Sequence, residues 1–116
     1  MAYHVVKLTL PCVIRSEANC RDHWRTKARR AKQQRETARL MCQQHARPMH
    51  DGPVAVTLIR TSRRKLDDDN LAGGFKAVRD GIADWLGIDD GSPRMTLVYG
   101  QRTGTLGAEI SVEWET

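Results

Sequence analysis

Three carboxylates and an amide stand in a row at Asp67-Asp68-Asp69-Asn70, and a second acidic pair follows at Asp89-Asp90. Upstream, Arg21, Arg25, Lys27, Arg29, Arg30, Lys32, Arg35 and Arg39 face only Asp22 and Glu36 within the same stretch. One group can hold a cation and the other a polyanion. Mg²⁺ prefers oxygen ligands and is typically held by one or two carboxylates together with substrate phosphates. In an extended segment side chains repeat every second residue, so Asp67 and Asp69 are expected to project together. Asp68 then points elsewhere, in an accessory or solvent role.

The plainer reading of the cluster is helix capping, because Asp and Asn are favoured at N-caps and acids complement the first turn. Capping accounts for one or two of these residues. It does not account for three adjacent carboxylates that repel one another, nor for the second pair. A Ca²⁺ loop of the EF-hand type needs Gly at its sixth position and Glu at its twelfth. Counted from Asp67, those positions hold Ala72 and Val78. An aspartyl-phosphate phosphatase would place its Asp pair at the end of a hydrophobic strand, whereas this cluster follows Arg63-Arg64-Lys65. Cys20-x-x-His23 and Cys42-x-x-His45 look like zinc half-sites, but about 33 Å of continuous helix would separate them.

The elements that must position these residues follow from periodicity. Val6, Leu8 and Leu10 alternate with polar neighbours as a strand that ends at Pro11. A loop over residues 11–20 leads to a long helix, capped at Asp22 and running to about residue 46, with an apolar stripe of Trp24, Ala28, Ala31, Ala38 and Met41 or Cys42. Val54, Val56 and Leu58 mark a second strand. Leu71, Phe75, Val78, Ile82 and Trp85 mark a second helix over about 71–86, stopped by Gly87. Met95, Leu97 and Tyr99 suggest a third strand, and Ala108, Ile110, Val112 and Trp114 a fourth. The expected order is β-α-β-α-β-β, an α+β domain with a small sheet of about four strands and two main helices. A helix over 71–86 is roughly 24 Å long, so Asp90 cannot meet Asp69 in one subunit unless the helix is shorter or bent, the loop folds back, or sites are shared between subunits.

Length and charge set the class. The 116 residues suit one domain spanning 1–116, and the 40% apolar and 28% charged content is ordinary for a globular protein. Aromatic content is only 5%, which argues against a row of aromatic platforms for single-stranded bases. Three cysteines without a dense framework, no signal-like start and no apolar run long enough for a span point to a soluble cytoplasmic protein. The imbalance of charge on the basic helix favours phosphate-backbone contact over a solvated face.

Taken together, Arg64-Lys65-Leu66-Asp67-Asp68-Asp69-Asn70, then Lys76 to Ile82, then Leu86-Gly-Ile-Asp89-Asp90 resemble the RusA family of Holliday junction resolvases. Leu10-Pro11 and the Ser16–Asn19 stretch resemble that family's early Pro and Ser-Asn segment. The resemblance implies a mostly phage- or prophage-borne homodimeric α+β endonuclease of DNA recombination and repair. It would make paired nicks in four-way junctions with Mg²⁺ or Mn²⁺ and leave a 5′-phosphate and a 3′-hydroxyl. By that match Asp67, Asp69 and Asp90 are the metal carboxylates and Lys76 the catalytic lysine. The family's Lys comes three residues after the Asn, where this chain has Gly73; Lys76 lies three residues further on and keeps a Lys-x-x-x-Asp spacing to Asp80. The candidate DNA-contacting set is Asn19, Arg21, Arg25, Arg29, Lys32, Arg63 and Arg64.

Two alternatives stay open: a DNA-binding protein without catalysis, and a nuclease for other branched DNA. The basic helix suits all three readings, and only the aspartates discriminate.

Overall fold

The alternation in the sequence becomes one mixed sheet. The computed structural model describes residues 2–48, 51–89 and 91–116. Its strands are β1 (Tyr3–Leu10), β2 (Val54–Ser62), β3 (Met95–Thr103) and β4 (Gly107–Glu115). They lie in the order β1-β4-β2-β3, with β4 antiparallel to both of its neighbours and β2 parallel to β3. Three strands therefore run one way, and their carboxyl ends gather at one edge of the sheet. Parallel neighbours need a crossover rather than a hairpin, and the helical segment between β2 and β3 supplies it.

One face of the sheet is apolar and covered. Val6, Leu8 and Leu10 join Val56, Leu58, Ile110 and Val112 in the buried cluster, together with Phe75, Val78 and Ile82 from the helices. Each such side chain fully buried contributes about 1.5–3 kcal/mol. The other face carries Tyr3, Val5, Thr96 and Val98 exposed.

Helix α1 (Trp24–Cys42) starts and stops inside its expected limits. The cap is His23 rather than Asp22: the His23 Nδ1 accepts from the Arg25 N–H at 3.1 Å. Asp22 instead accepts from the Arg30 guanidinium at 3.0 Å and from the Cys20 thiol at 3.0 Å. The expected apolar stripe is only half used. Gln34, Ala38 and Cys42 are buried, whereas Trp24, Ala28 and Ala31 are exposed. The reason is where the next helix lies, since it supports only the carboxyl half of α1.

The expected second helix is two. Helix α2 (Asp68–Gly74) and helix α3 (Lys76–Leu86) meet at Phe75, so the order is β-α-β-α-α-β-β with three helices. Phe75 sits at φ −90°, ψ −2°, and its N–H is shared between the Leu71 and Ala72 carbonyls at 3.2 Å each. Gly73 and Gly74 hold a helix weakly. Gly74 is also required by packing, because a Cβ there would lie 2.6 Å from the Arg15 carbonyl oxygen. The same logic applies at Gly81, where a Cβ would lie 2.2 Å from the Arg35 carbonyl oxygen and 3.0 Å from Ala38 Cβ. Backbone of α1 and backbone of α3 thus come together at Gly81, and a bidentate Arg35–Asp84 pair at 2.7 and 2.9 Å closes the contact. Gly87 ends α3 in the left-handed region at φ 72°.

The result is an α+β fold with a four-stranded mixed sheet and three helices. No helix among the described residues is long and apolar enough to cross a membrane.

Candidate functional site

The acidic cluster sits where β2 hands over to α2. Arg63, Arg64 and Lys65 leave the end of β2 exposed, and Asp67 is the N-cap in extended geometry at φ −62°, ψ 154°. Its carbonyl accepts from the Leu71 N–H at 2.9 Å, but its carboxylate makes no capping hydrogen bond. Asp68 and Asp69 form the first turn, where the helix dipole favours acids. All three carboxylates are exposed. Strand alternation therefore does not relate Asp67 to Asp69, because Asp69 is already helical. They stand instead as the N-cap and the second residue of α2.

Two polar side chains that sequence reasoning passed over hold this turn in place. The Gln101 amide on β3 reads the Leu66 backbone twice, donating to its carbonyl at 2.8 Å and accepting from its N–H at 2.8 Å. Arg60 on β2 is only 8% exposed; its Nε donates to the Ile14 carbonyl and one terminal nitrogen to the Arg64 carbonyl, both at 2.8 Å. Gln34 adds a third tie, from α1 to the Val13 carbonyl at 3.1 Å. A signal for the strand pair was present in the sequence. Arg60 shares strand parity with Val54, Val56 and Leu58, and Gln101 with Met95, Leu97 and Tyr99. A polar residue in a core-facing position needs a partner, and here the partners are the backbones of the two loops at the sheet's carboxyl edge.

Beside the turn, the unsupported half of α1 and the α2–α3 junction enclose a cleft of about 530 Å³. Ala28, Ala31, Gly73, Gly74 and Ala77 line it with small side chains, and Lys27, Lys32, Arg35, Lys76, Glu17 and Asp80 supply charge. Asp69 and Gly73 lie four apart on α2, and Lys76 and Asp80 lie four apart on α3. A Cβ at Gly73 would meet nothing within 4 Å. Lys76 Nζ lies 3.2 Å from both oxygens of Asp80.

The cations of α1 divide into two sets. Arg30 binds Glu17 at 2.6 Å and Asp22 at 3.0 Å, Arg35 binds Asp84, and Arg39 lies 3.7 Å from Glu36. These serve the fold. The Arg30 guanidinium holds the Glu17 carboxyl below the ordinary carboxylate range, and Arg35 does the same to Asp84. Arg21, Arg25, Arg29 and Lys32 are exposed, and among the described residues none of them pairs with a carboxylate. The same holds for Arg63 and Arg64, while Asn19 lies exposed in the turn before Cys20.

Asp89 stands elsewhere. After α3 the chain returns to Met95, which pairs with Val54 at the start of β2, whereas Asp67 follows the end of β2. Nine residues of strand, about 26 Å, separate those two ends. Asp89 lines a second, polar cleft of about 260 Å³ with Lys76, Asp80, Asp84 and Arg35. Lys76 thus borders both clefts. Asp90, the expected third carboxylate, lies outside the described residues. Among the described residues no three of His, Cys, Asp and Glu converge as a metal-holding group, and this includes the two zinc half-sites. Cys42 is buried, which pushes its thiol up to about 12.

No protein-family profile matches the sequence. An uncharacterized protein of Xylella fastidiosa (strain Temecula1) is 37% identical over 90 residues, 72% of this chain. The chain spans 59% of that relative's length.

Proposed function

We propose that this chain is a metal-dependent, structure-selective endodeoxyribonuclease of branched DNA, with a RusA-like fold and a four-way junction as its substrate. One observation carries the reading: the Asp67 and Asp69 carboxylates are exposed, that of Asp67 makes no cap bond, and they stand on a turn held by Gln101 and Arg60, while Lys76 and the unneutralised Lys32 border the cleft between α1 and the α2–α3 junction. Capping alone does not explain a carboxylate that makes no cap bond. The donor set is all oxygen, carboxylate and solvent-facing, which suits Mg²⁺ or Mn²⁺ and not a softer metal.

Asp67 and Asp69 are the residues that would hold such an ion, with Asp90 as the third carboxylate in the family pattern. When bound, the ion supplies Lewis-acid activation at the scissile phosphate. The chain's own residues do the rest. Arg21 just before α1, and Arg25, Arg29 and Lys32 along it, hold phosphates, which sets affinity and salt dependence rather than sequence choice. Arg63 and Arg64 extend that surface to the edge of the acidic turn. Lys76, poised between the clefts and shared with Asp80, presents an ammonium to the charge that develops on the phosphate. A two-fold homodimer sets two such sites against the pseudo-symmetric arms of a junction and is the arrangement in which a carboxylate from outside the turn completes each site.

The test is cleavage of a labelled four-way junction beside linear duplex in Mg²⁺ or Mn²⁺, repeated with Asp69→Asn. Symmetric nicks in the junction, almost none in duplex, and loss of nicking with full binding in Asp69→Asn are expected. If wild type and Asp69→Asn bind the junction equally and neither cuts it, the protein is a DNA-binding protein without catalysis. Nicking confined to flaps or forks points to other branched DNA.

A further inference from the structure

Of the three tryptophans, Trp85 and Trp114 are buried at 5% and 7% exposure, but Trp24 is 67% exposed. It is the first residue of α1, and the Arg25 guanidinium carbon lies 5.2 Å from its ring centroid. The His23 ring is 5.5 Å away and tilted. Arg21, Arg25 and Arg29 lie close by in sequence, exposed and without carboxylate partners among the described residues. An indole is normally drawn into the core, so one left on a cationic surface needs a reason.

We propose that Trp24 is a stacking platform for an unpaired nucleobase, with the neighbouring arginines holding the phosphates on either side of it. Every base has a π-face, so the ring selects for a base that is free to leave the helix and not for sequence. Bases in intact duplex are already stacked on each other. The unneutralised arginines make the occupant a polyanion, and Arg25 over the ring adds a cation–π contribution to the stack. The inference rests on the nucleic-acid part of the reading above, but not on catalysis. It assigns the end of α1 the task of sensing where strands come apart.

The experiment measures binding by fluorescence anisotropy in EDTA, so that nothing is cut. Three probes of one sequence are compared: a single strand, a duplex with a short gap, and an intact duplex. Trp24→Ala should weaken binding to the single strand and the gapped duplex about tenfold, and to intact duplex less than about twofold. Trp24→Phe should retain most of the affinity. Acrylamide should quench Trp24 in the free protein, and the single strand should protect it. Trp24 is 67% exposed, so its variants should melt with wild type. Equal losses on all three probes, no loss on any, or an indole already shielded from acrylamide by a second copy of the chain would each overturn the proposal. Discrimination without junction nicking leaves this inference standing and removes the nuclease; nicking that Trp24→Ala leaves unchanged, with no effect on binding, does the reverse.

Discussion

Gln101 gives the sharpest test of how the acidic turn is built. Gln101→Leu removes two hydrogen bonds of 2.8 Å to the Leu66 backbone and keeps the approximate size of the side chain. A neutral hydrogen bond contributes about 0.5–1.5 kcal/mol net, and more is lost where the abandoned group stays dry. Leu66 is half-buried, so water replaces part of what is removed, and a total of about 1–2 kcal/mol is expected. For a chain of 116 residues, 1 kcal/mol corresponds to about 4 °C in Tm, so melting should fall by about 4–8 °C. Gln101→Glu keeps an acceptor for the Leu66 N–H but sets a carboxylate oxygen against the Leu66 carbonyl, so it should be no more stable than Gln101→Leu. The functional consequence is separable from the stability loss. Ile110→Val in the centre of the sheet should lower stability by about 1 kcal/mol and leave the turn in place. Mn²⁺ affinity, measured by calorimetry, should drop at least about fivefold in Gln101→Leu and stay unchanged in Ile110→Val, as expected for ligands that lose their support. Unchanged melting refutes the energetic account. A predicted fall in melting with unaltered Mn²⁺ binding shows that Gln101 merely ties β3 to the loop and does not position the carboxylates.

Three further outcomes follow from the same geometry. Gly81→Ala gains helix propensity of about 1 kcal/mol, yet its Cβ would lie 2.2 Å from the Arg35 carbonyl, so it should lower Tm by about 8 °C or more in thermal melts. Asp84 has its carboxyl lowered by Arg35, so the pair contributes stability above the ordinary carboxylate range and loses it as pH falls through the depressed value. The stability difference between wild type and Asp84→Asn should stay under about 1 kcal/mol near neutral pH, because the pair is partly solvated, and should shrink towards zero as pH falls through the depressed value in denaturant titrations. Arg29→Ala should weaken duplex binding across all sequences and reduce the slope of log K against log salt by about 1, whereas an unchanged slope removes Arg29 from the phosphate-contacting set.

The sequence by itself determined the strands, because alternation of Val, Leu and Ile is a local pattern that burial on one face of a sheet enforces. It also determined where charge concentrates, since the runs around Arg29 and Asp68 are contiguous. It placed the acidic cluster ahead of a helix over about 71–86, whereas the structure starts a separate short helix at Asp68, so that Asp68, Asp69 and Asn70 are already helical. Other features were decided by contacts between distant segments, which no local window contains. The approach of the Arg15 carbonyl to Gly74 leaves no room for a Cβ there, and α3 meets α1 at Arg35 and Ala38 while Trp24 at the other end stays exposed. Which arginines are left for a ligand was likewise a tertiary matter. Arg30 and Arg35 differ from Arg29 and Lys32 only in facing Glu17, Asp22 and Asp84, two of them on an element or loop remote in sequence from the helix face they meet. The separation of Asp89 from Asp67 is of the same kind. Nine residues of β2 pair in parallel register with β3, and that register sends the chain to the far end of the sheet before Asp89 appears.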